Sequence, residues 1–320
     1  MSKTYRDIEL YSEIQYEIAA YYFGKSNGYS PRVKNDPLNE EKKINKKTAH
    51  EYASMGQKAF PSSRGAALCE NLIITIESKN LRFVAEEAVI PSQLSKGNLT
   101  FTNVSKVYMK IIELDFDEFI EKEFRKNQTR INYFNRKTVV SSWELDLPND
   151  GFYNAHSVEY TVPKLENGYY AIIASTSPNF SDNKNAFAFS TLWSTSISYA
   201  ARNRGNKFEL TALDKKTGHP IDGVKAVATT RYYDYKKRKD VIKKIGTFYT
   251  DKEGYISIPS SGRNRNINID FTKGNDRYNN TRGHYQRTQN QNNRRRSDTR
   301  GVLFTDRAIY RPGQKVYFKG

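Results

Sequence analysis

Hydrophobic residues change period near residue 80. Before it, IELYSEIQYEIAAYYF places apolar side chains at 8, 10, 14, 18 and 22 or 23, close to the 3.6-residue repeat of a helix. KSNGYSPRVKNDPLN, with Gly28, Pro31 and Pro37, reads as a loop. A second helix is predicted from about Glu40 to Ala59. Pro61 stops it, and Ser62 or Ser63 caps a third helix over roughly Ala66 to Ser78.

After residue 80 the period is two. LRFVAEEAVIP, NLTFTNVSKVYMKIIEL and VVSSWELDLP alternate as strands do. In KVYMKIIEL, Val107, Met109 and Ile111 are expected on one face, with Tyr108 and Ile112 on the other. DFDEFIEKEFRKN reads as one amphipathic helix inserted between strands. HSVEYTVPKLENGYYAIIAST reads as a hairpin, with Asn167-Gly168 at its tight turn. A second β-unit begins near Asn185. In LDKKTGHPIDGVKAV the turn falls on Thr217-Gly218, and GTFYTDKEGYISIPS places a turn over Asp251–Gly254.

These patterns predict a mainly β chain: a short N-terminal α-helical segment, then tandem antiparallel β-sandwich domains of macroglobulin or immunoglobulin-like type. The helices around AYYFGKSNGY and EYASMGQKAFPSS resemble one degenerate tetratricopeptide-type hairpin. One or two such hairpins cannot bury a continuous core alone, so they are expected to pack on the next domain.

Composition sharpens this picture. With 23 Tyr and 17 Phe the chain carries the large side chains that half-buried strands use, although hydrophobic residues total only 37%. No run of about 18 apolar residues occurs, so no membrane span is expected in this portion. The first twenty residues lack a basic region followed by an apolar one, so no signal segment is visible. The single cysteine, Cys69, excludes an intrachain disulfide and, in AALCENLIITI, reads as a buried small hydrophobe.

The net charge of +17 raises nucleic acid as a partner. Much of the excess lies instead in two local runs: KKRKDVIKK, read as a hairpin tip, and the tract from Arg277 to Arg300, read as a mobile linker that proteases should cut first. Nucleic acid is therefore set aside. Polyanion contact through Lys236, Lys237, Arg238, Arg294, Arg295 and Arg296 stays as an alternative.

Candidate chemistry is sparse. His50, His156, His219 and His284 are scattered, and no HExxH, GxSxG, P-loop or GxGxxG pattern occurs. Asp115 and Asp117 suit a helix N-terminus better than a pair of catalytic acids. Asp251 and Glu253 lack the further acidic ligands of a calcium loop. No catalytic residue, metal ligand or cofactor is expected.

GVLFTDRAIYRPGQKVYFKG reads as two short strands joined by Arg311-Pro312-Gly313-Gln314, a type II turn with Gly at the positive-φ position. TDRAIYRPGQKVYFKG resembles the motif opening the second macroglobulin-type (MG2) domain of bacterial alpha-2-macroglobulins, through Thr305, Asp306, Arg307, Tyr310, Arg311, Pro312, Gly313 and the strand Val316–Phe318. The order of the preceding segments is similar to that of Bacteroidetes-type members. The resemblance implies an N-terminal fragment that ends as that second domain starts. It divides into residues 1–78 (helical), 80–178 (a first macroglobulin-like sandwich with inserted helix), 185–275 (a transthyretin- or immunoglobulin-like sandwich), 276–300 (a basic linker) and 301–320 (the truncated next domain).

The family resemblance also implies a non-enzymatic scaffold of an endopeptidase inhibitor in the cell envelope, periplasmic or extracellular. Its partners would be target proteases, through the full-length protein, and other envelope proteins. The motif residues are structural in this reading. The family's thioester motif does not carry over, because Cys69 is followed by Glu70 and Asn71 within a helix. A structural or adhesive cell-surface role is the alternative from another class.

Overall fold

A computed structural model describes residues 8–31, 33, 35–84, 86–122, 124, 127–181, 185–236, 238–259, 265–286, 304–305 and 314–319. The chain is mainly β, a short helical segment followed by tandem antiparallel sandwiches.

The helices are α1 (Leu10–Lys25), α2 (Pro37–Ala59) and α3 (Arg64–Glu77). Asp36 caps α2 by accepting from Leu38 N, with Pro37 in the first turn, where its missing N–H costs nothing. Ser63 caps α3, accepting from Ala66 N at 3.1 Å. The inward face of α1 is not the predicted one. Tyr11, Ser12, Gln15 and Ala19 are buried, whereas Ile8 and Leu10 are exposed. The reason is close backbone approach: a Cβ on Gly65 would lie 2.4 Å from Glu13 N, and one on Gly56 2.6 Å from Cys69 Sγ. Ser12 Oγ donates to Gly56 O at 2.7 Å, and Ala19, Ala53 and Cys69 fill the seam. Small residues, not large ones, are what fit between helices this close.

The bundle packs on the first β-unit. Asn103 Nδ2 donates to Ile76 O at 2.7 Å, Asn154 Nδ2 to Lys43 O at 2.9 Å, and His50 stacks on Tyr153.

That unit contains β1 (Asn80–Val84), β2 (Ala88–Val89), β3 (Ser95–Thr102), β4 (Lys106–Leu114), α4 (Phe116–Glu121), α5 (Asn127–Asn135), β5 (Val139–Asp146), β6 (His156–Val162), β7 (Gly168–Ser175) and β8 (Phe187–Ser194). One sheet has the order β1-β3-β6, the other β2-β8-β7-β4-β5. Val107, Met109 and Ile111 of β4 fill the core between the sheets, while Tyr108 and Ile112 face the opposite side, as the alternation predicts.

Two local predictions fail here. The helix predicted over 115–127 ends at Glu121, where Lys122 is extended, and a separate α5 follows with Ile131 and Phe134 both buried and Phe119 stacked on Phe134. The predicted hairpin at Asn167-Gly168 is a crossing between sheets: β6 pairs with β3, and β7 pairs with β4 and β8. Buried Leu165 drives that crossing, and its carbonyl accepts from Ser92 N and Ser194 Oγ.

The second unit contains β9 (Ile197–Arg204), β10 (Lys207–Asp214), β11 (Lys225–Asp234), β12 (Lys239–Tyr249), β13 (Tyr255–Pro259), β14 (Arg265–Lys273), β15 (Asp276–Asn279) and β16 (His284–Gln286). Its sheets have the orders β13-β10-β9 and β12-β11-β14-β15, with β16 also on β14. The Thr217-Gly218 turn forms as predicted, with Gly218 at φ 73° and Asp214 Oδ1 accepting from Thr217 N at 2.7 Å. β17 (Phe304–Thr305) pairs antiparallel with β18 (Phe318–Lys319).

Strand pairing regroups two segments. Phe187–Ser194 alternates like the strands after it, yet it hydrogen-bonds along its length to β7 of the first unit. Residues 276–286, read as the start of a linker, form β15 and β16 against β14, because Tyr278 and Gln286 are buried there. The rest of that tract, 287–300, lies outside the described residues.

Candidate functional site

The chain passes from one sandwich to the other through only two residues, Thr195 and Ser196. Their polar groups bond to both units. Buried Asp276 accepts from Thr195 Oγ1 at 2.6 Å and from Ser196 N at 2.9 Å, while Thr195 N donates to Val89 O. Next to it, Arg277 Nη1 and Nη2 donate to the two carboxylate oxygens of Asp117 at 2.7 and 2.8 Å. Its Nε and Nη2 reach Asp270 at 2.9 and 2.7 Å. The guanidinium also lies 5.1 Å from the Phe116 ring centroid.

The planar fork of arginine suits two carboxylates at once. The bonds from Arg277 hold the Asp117 carboxyl below the usual range, and the two acids hold the guanidinium firmly protonated. Asp117 does sit in the first turn of α4, but its partner is this arginine; Asp115 caps the helix. Phe116, Tyr169 and Trp193 from the first unit and Tyr278 from the second close an apolar cluster that runs on into the second sandwich. The arrangement is a clasp that ties the two β-units together, and each of these charged groups is taken up by another within it.

The other residues singled out in the sequence take structural roles or stay apart. Cys69 is buried, its thiol pushed up to about 11 by burial. His50 meets Glu77 and His156 meets Asp150, at 2.7 and 3.2 Å. His219 lies exposed in the turn after β10. His284 Nε2 meets Tyr199 OH at 2.7 Å, and burial lowers its pKa. The Asp251 carboxylate accepts from Glu253 N and Tyr255 N, shaping its turn. Among the described residues, no cluster of three or more His, Cys, Asp or Glu could hold a metal ion, and no helix is long and apolar enough to cross a membrane.

Lys236 and Arg238 lie exposed at the tip between β11 and β12, beside Tyr235. Lys237 and Arg294–Arg296 lie outside the described residues. Of the closing motif, Thr305 is in β17, and Asp306, Arg307, Tyr310, Arg311, Pro312 and Gly313 lie outside the described residues. The clasp escaped sequence reading. Asp276 and Arg277 looked like ordinary members of a polar, basic stretch, and no local signal links them to Thr195 or Asp117.

No protein-family model and no curated protein matches the chain. Among solved structures it is similar to native alpha-2-macroglobulin of Escherichia coli. A segment spanning domains MG0-NIE-MG1 matches at 12% identity, covering 63% of this chain and 63% of that one, with a TM-score of 0.43. A segment spanning NIE-MG1 matches at 12% identity over 63% of this chain and 95% of that one, TM-score 0.41. The native E. coli protein reconstructed by electron microscopy matches at 13% identity over 76% of this chain and 18% of that one, TM-score 0.28. The match thus spans less than two thirds of the first of these chains and a small part of the last.

Proposed function

We propose that this chain is a scaffold portion of an alpha-2-macroglobulin-like endopeptidase inhibitor that protects the cell envelope, with protease trapping performed by a longer protein. The closing segment carries this reading. TDRAIYRPGQKVYFKG resembles the opening of a macroglobulin-type domain, and the antiparallel pairing of Phe304–Thr305 with Phe318–Lys319 supports the reading. Thr305, Asp306, Arg307, Tyr310, Arg311, Pro312 and Gly313 then shape a domain start and do no chemistry. The partners are target proteases met by the full-length protein, and other envelope proteins.

The test is to mix the full-length protein with an endopeptidase such as elastase. Trapping leaves hydrolysis of a small chromogenic peptide intact while digestion of a large protein substrate is lost. Undiminished digestion of the large substrate would sink the proposal.

One observation favours a second reading, polyanion contact. Beyond Thr229, among the described residues, the β11–β12 hairpin pairs only with itself, and it carries exposed Lys236 and Arg238 at its end. Retention on heparin that falls steeply with salt, and is lost in K236E/R238E, supports it; unchanged retention in that variant refutes it.

A further inference from the structure

Lys110 projects from β4 on the face of the sheet it shares with Ile112, and it is only 7% exposed. Its ammonium donates to Asn135 Oδ1 at 2.7 Å and stands 4.1 Å from the Phe180 ring centroid. Among the described residues its ammonium has the Asn135 amide and the Phe180 ring as partners, and no carboxylate. A buried ammonium is costly unless hydrogen-bonded and paired, and an amide with an aromatic face satisfies it only in part. Burial lowers its pKa accordingly.

The lysine lines a cleft of about 650 Å³, together with Asn135, Ser142, Trp143 and Phe180. Glu144 stands at the same cleft, but its carboxylate is engaged by Lys106 Nζ at 2.9 Å. The cleft therefore presents one unneutralised cation against an aromatic wall.

Beside it the sheet is open. β5 is the terminal strand, and among the described strands it pairs only with β4. Val139 and Val140 on it are 50% and 45% exposed. Ser142 stands directly across from Lys110, and its short side chain leaves room above it. A strand added outside β5 would lie about 10 Å from β4, at roughly 4.8 Å per step. That gap is within the combined reach of a lysine and a glutamate side chain.

We propose that the Lys110 cleft receives the carboxylate of an acidic side chain carried by an extended peptide that adds to the β5 edge. Main-chain bonds to β5 would hold the strand, and the ammonium would select the acid. This proposal stands independently of protease trapping.

The test titrates the intact chain with a blocked pentapeptide whose central glutamate, flanked by valine and threonine, is its only carboxylate. Backbone amide shifts at 139–142 and the affinity are followed. Replacing the glutamate by glutamine should weaken binding at least about tenfold, as expected for a lost charge-assisted bond in a sheltered site. Lys110→Met should do the same while the melting curve stays cooperative. The glutamine peptide leaves the protein untouched, so the test survives a poorly folded variant. Equal binding of both peptides would overturn the proposal. So would phenylacetate binding as tightly as the peptide with no shift along β5.

Discussion

Arg277 and Asp117 stand 160 residues apart and meet through two parallel hydrogen bonds of 2.7 and 2.8 Å. The arginine lies in the second strand of a hairpin in one sandwich, and the aspartate lies on a helix inserted into the other. This pair, with Asp276 beside it, makes the two sandwiches a joined body.

Arg277→Met should destabilise the protein by roughly 2 kcal/mol, because it strips Asp270 and Asp117 of a charged donor. Asp117→Asn should cost under about 1 kcal/mol, since Asp117 is largely exposed. Urea denaturation measures both. Equal costs would mean that the arginine acts only through Asp117. Asp117 titrates below its unfolded value, so the contribution is complete above the ordinary carboxylate range. It should fade as pH falls below about 4.

Asp276→Ala should cost about 2 to 3 kcal/mol, because it leaves Ser196 N and the Thr195 hydroxyl without their acceptor. Limited proteolysis should then open the chain near 195–196, which the unaltered protein protects. A variant as stable as a typical surface substitution would remove Asp276 from the clasp.

Gly65→Ala should loosen the helical segment by about 1 to 3 kcal/mol, since the new methyl would meet main-chain atoms of Ser12 and Glu13. Hydrogen exchange should quicken in α1 and α3 and stay unchanged in β7. Uniform quickening across the chain would mean that the helices and sheets unfold as one unit.

His284 titrates below its unfolded value because it is half-buried against Tyr199 and Phe208. The unfolded chain therefore takes up a proton that the folded site refuses, and stability should decline as pH drops below about 6.5. His284→Gln should flatten the slope of the urea midpoint between about pH 5 and 7. An unchanged slope would assign it to other groups.

Local chemistry was readable wherever it is local. Ser63 as a cap, Pro61 as a stop, Gly218 in its turn and the two faces of β4 all depend on neighbours within a few residues. The helical face of α1 misled, because its packing is set by Gly56 and Gly65 on other helices. The Asn167-Gly168 turn misled because a corner between two sheets uses the same polar, glycine-bearing residues as a hairpin. Only buried Leu165 and the partners of β7 decide between them. The clasp and the Lys110 cleft were invisible for a stronger reason. Each depends on side chains brought together from distant strands, and a lysine within an otherwise regular strand reads as a solvent-facing residue.

The separation of Thr195 from Asp276 also orders events during synthesis. All eight strands of the first sandwich are complete once Ser194 has been made, but Asp276 emerges 81 residues after Thr195. Until then Phe116, Tyr169 and Trp193 have no second sandwich to cover them. A growing chain therefore carries an uncovered aromatic face for the whole time its neighbour is being made, and a pause within 197–275 would prolong its exposure to whatever else is folding nearby.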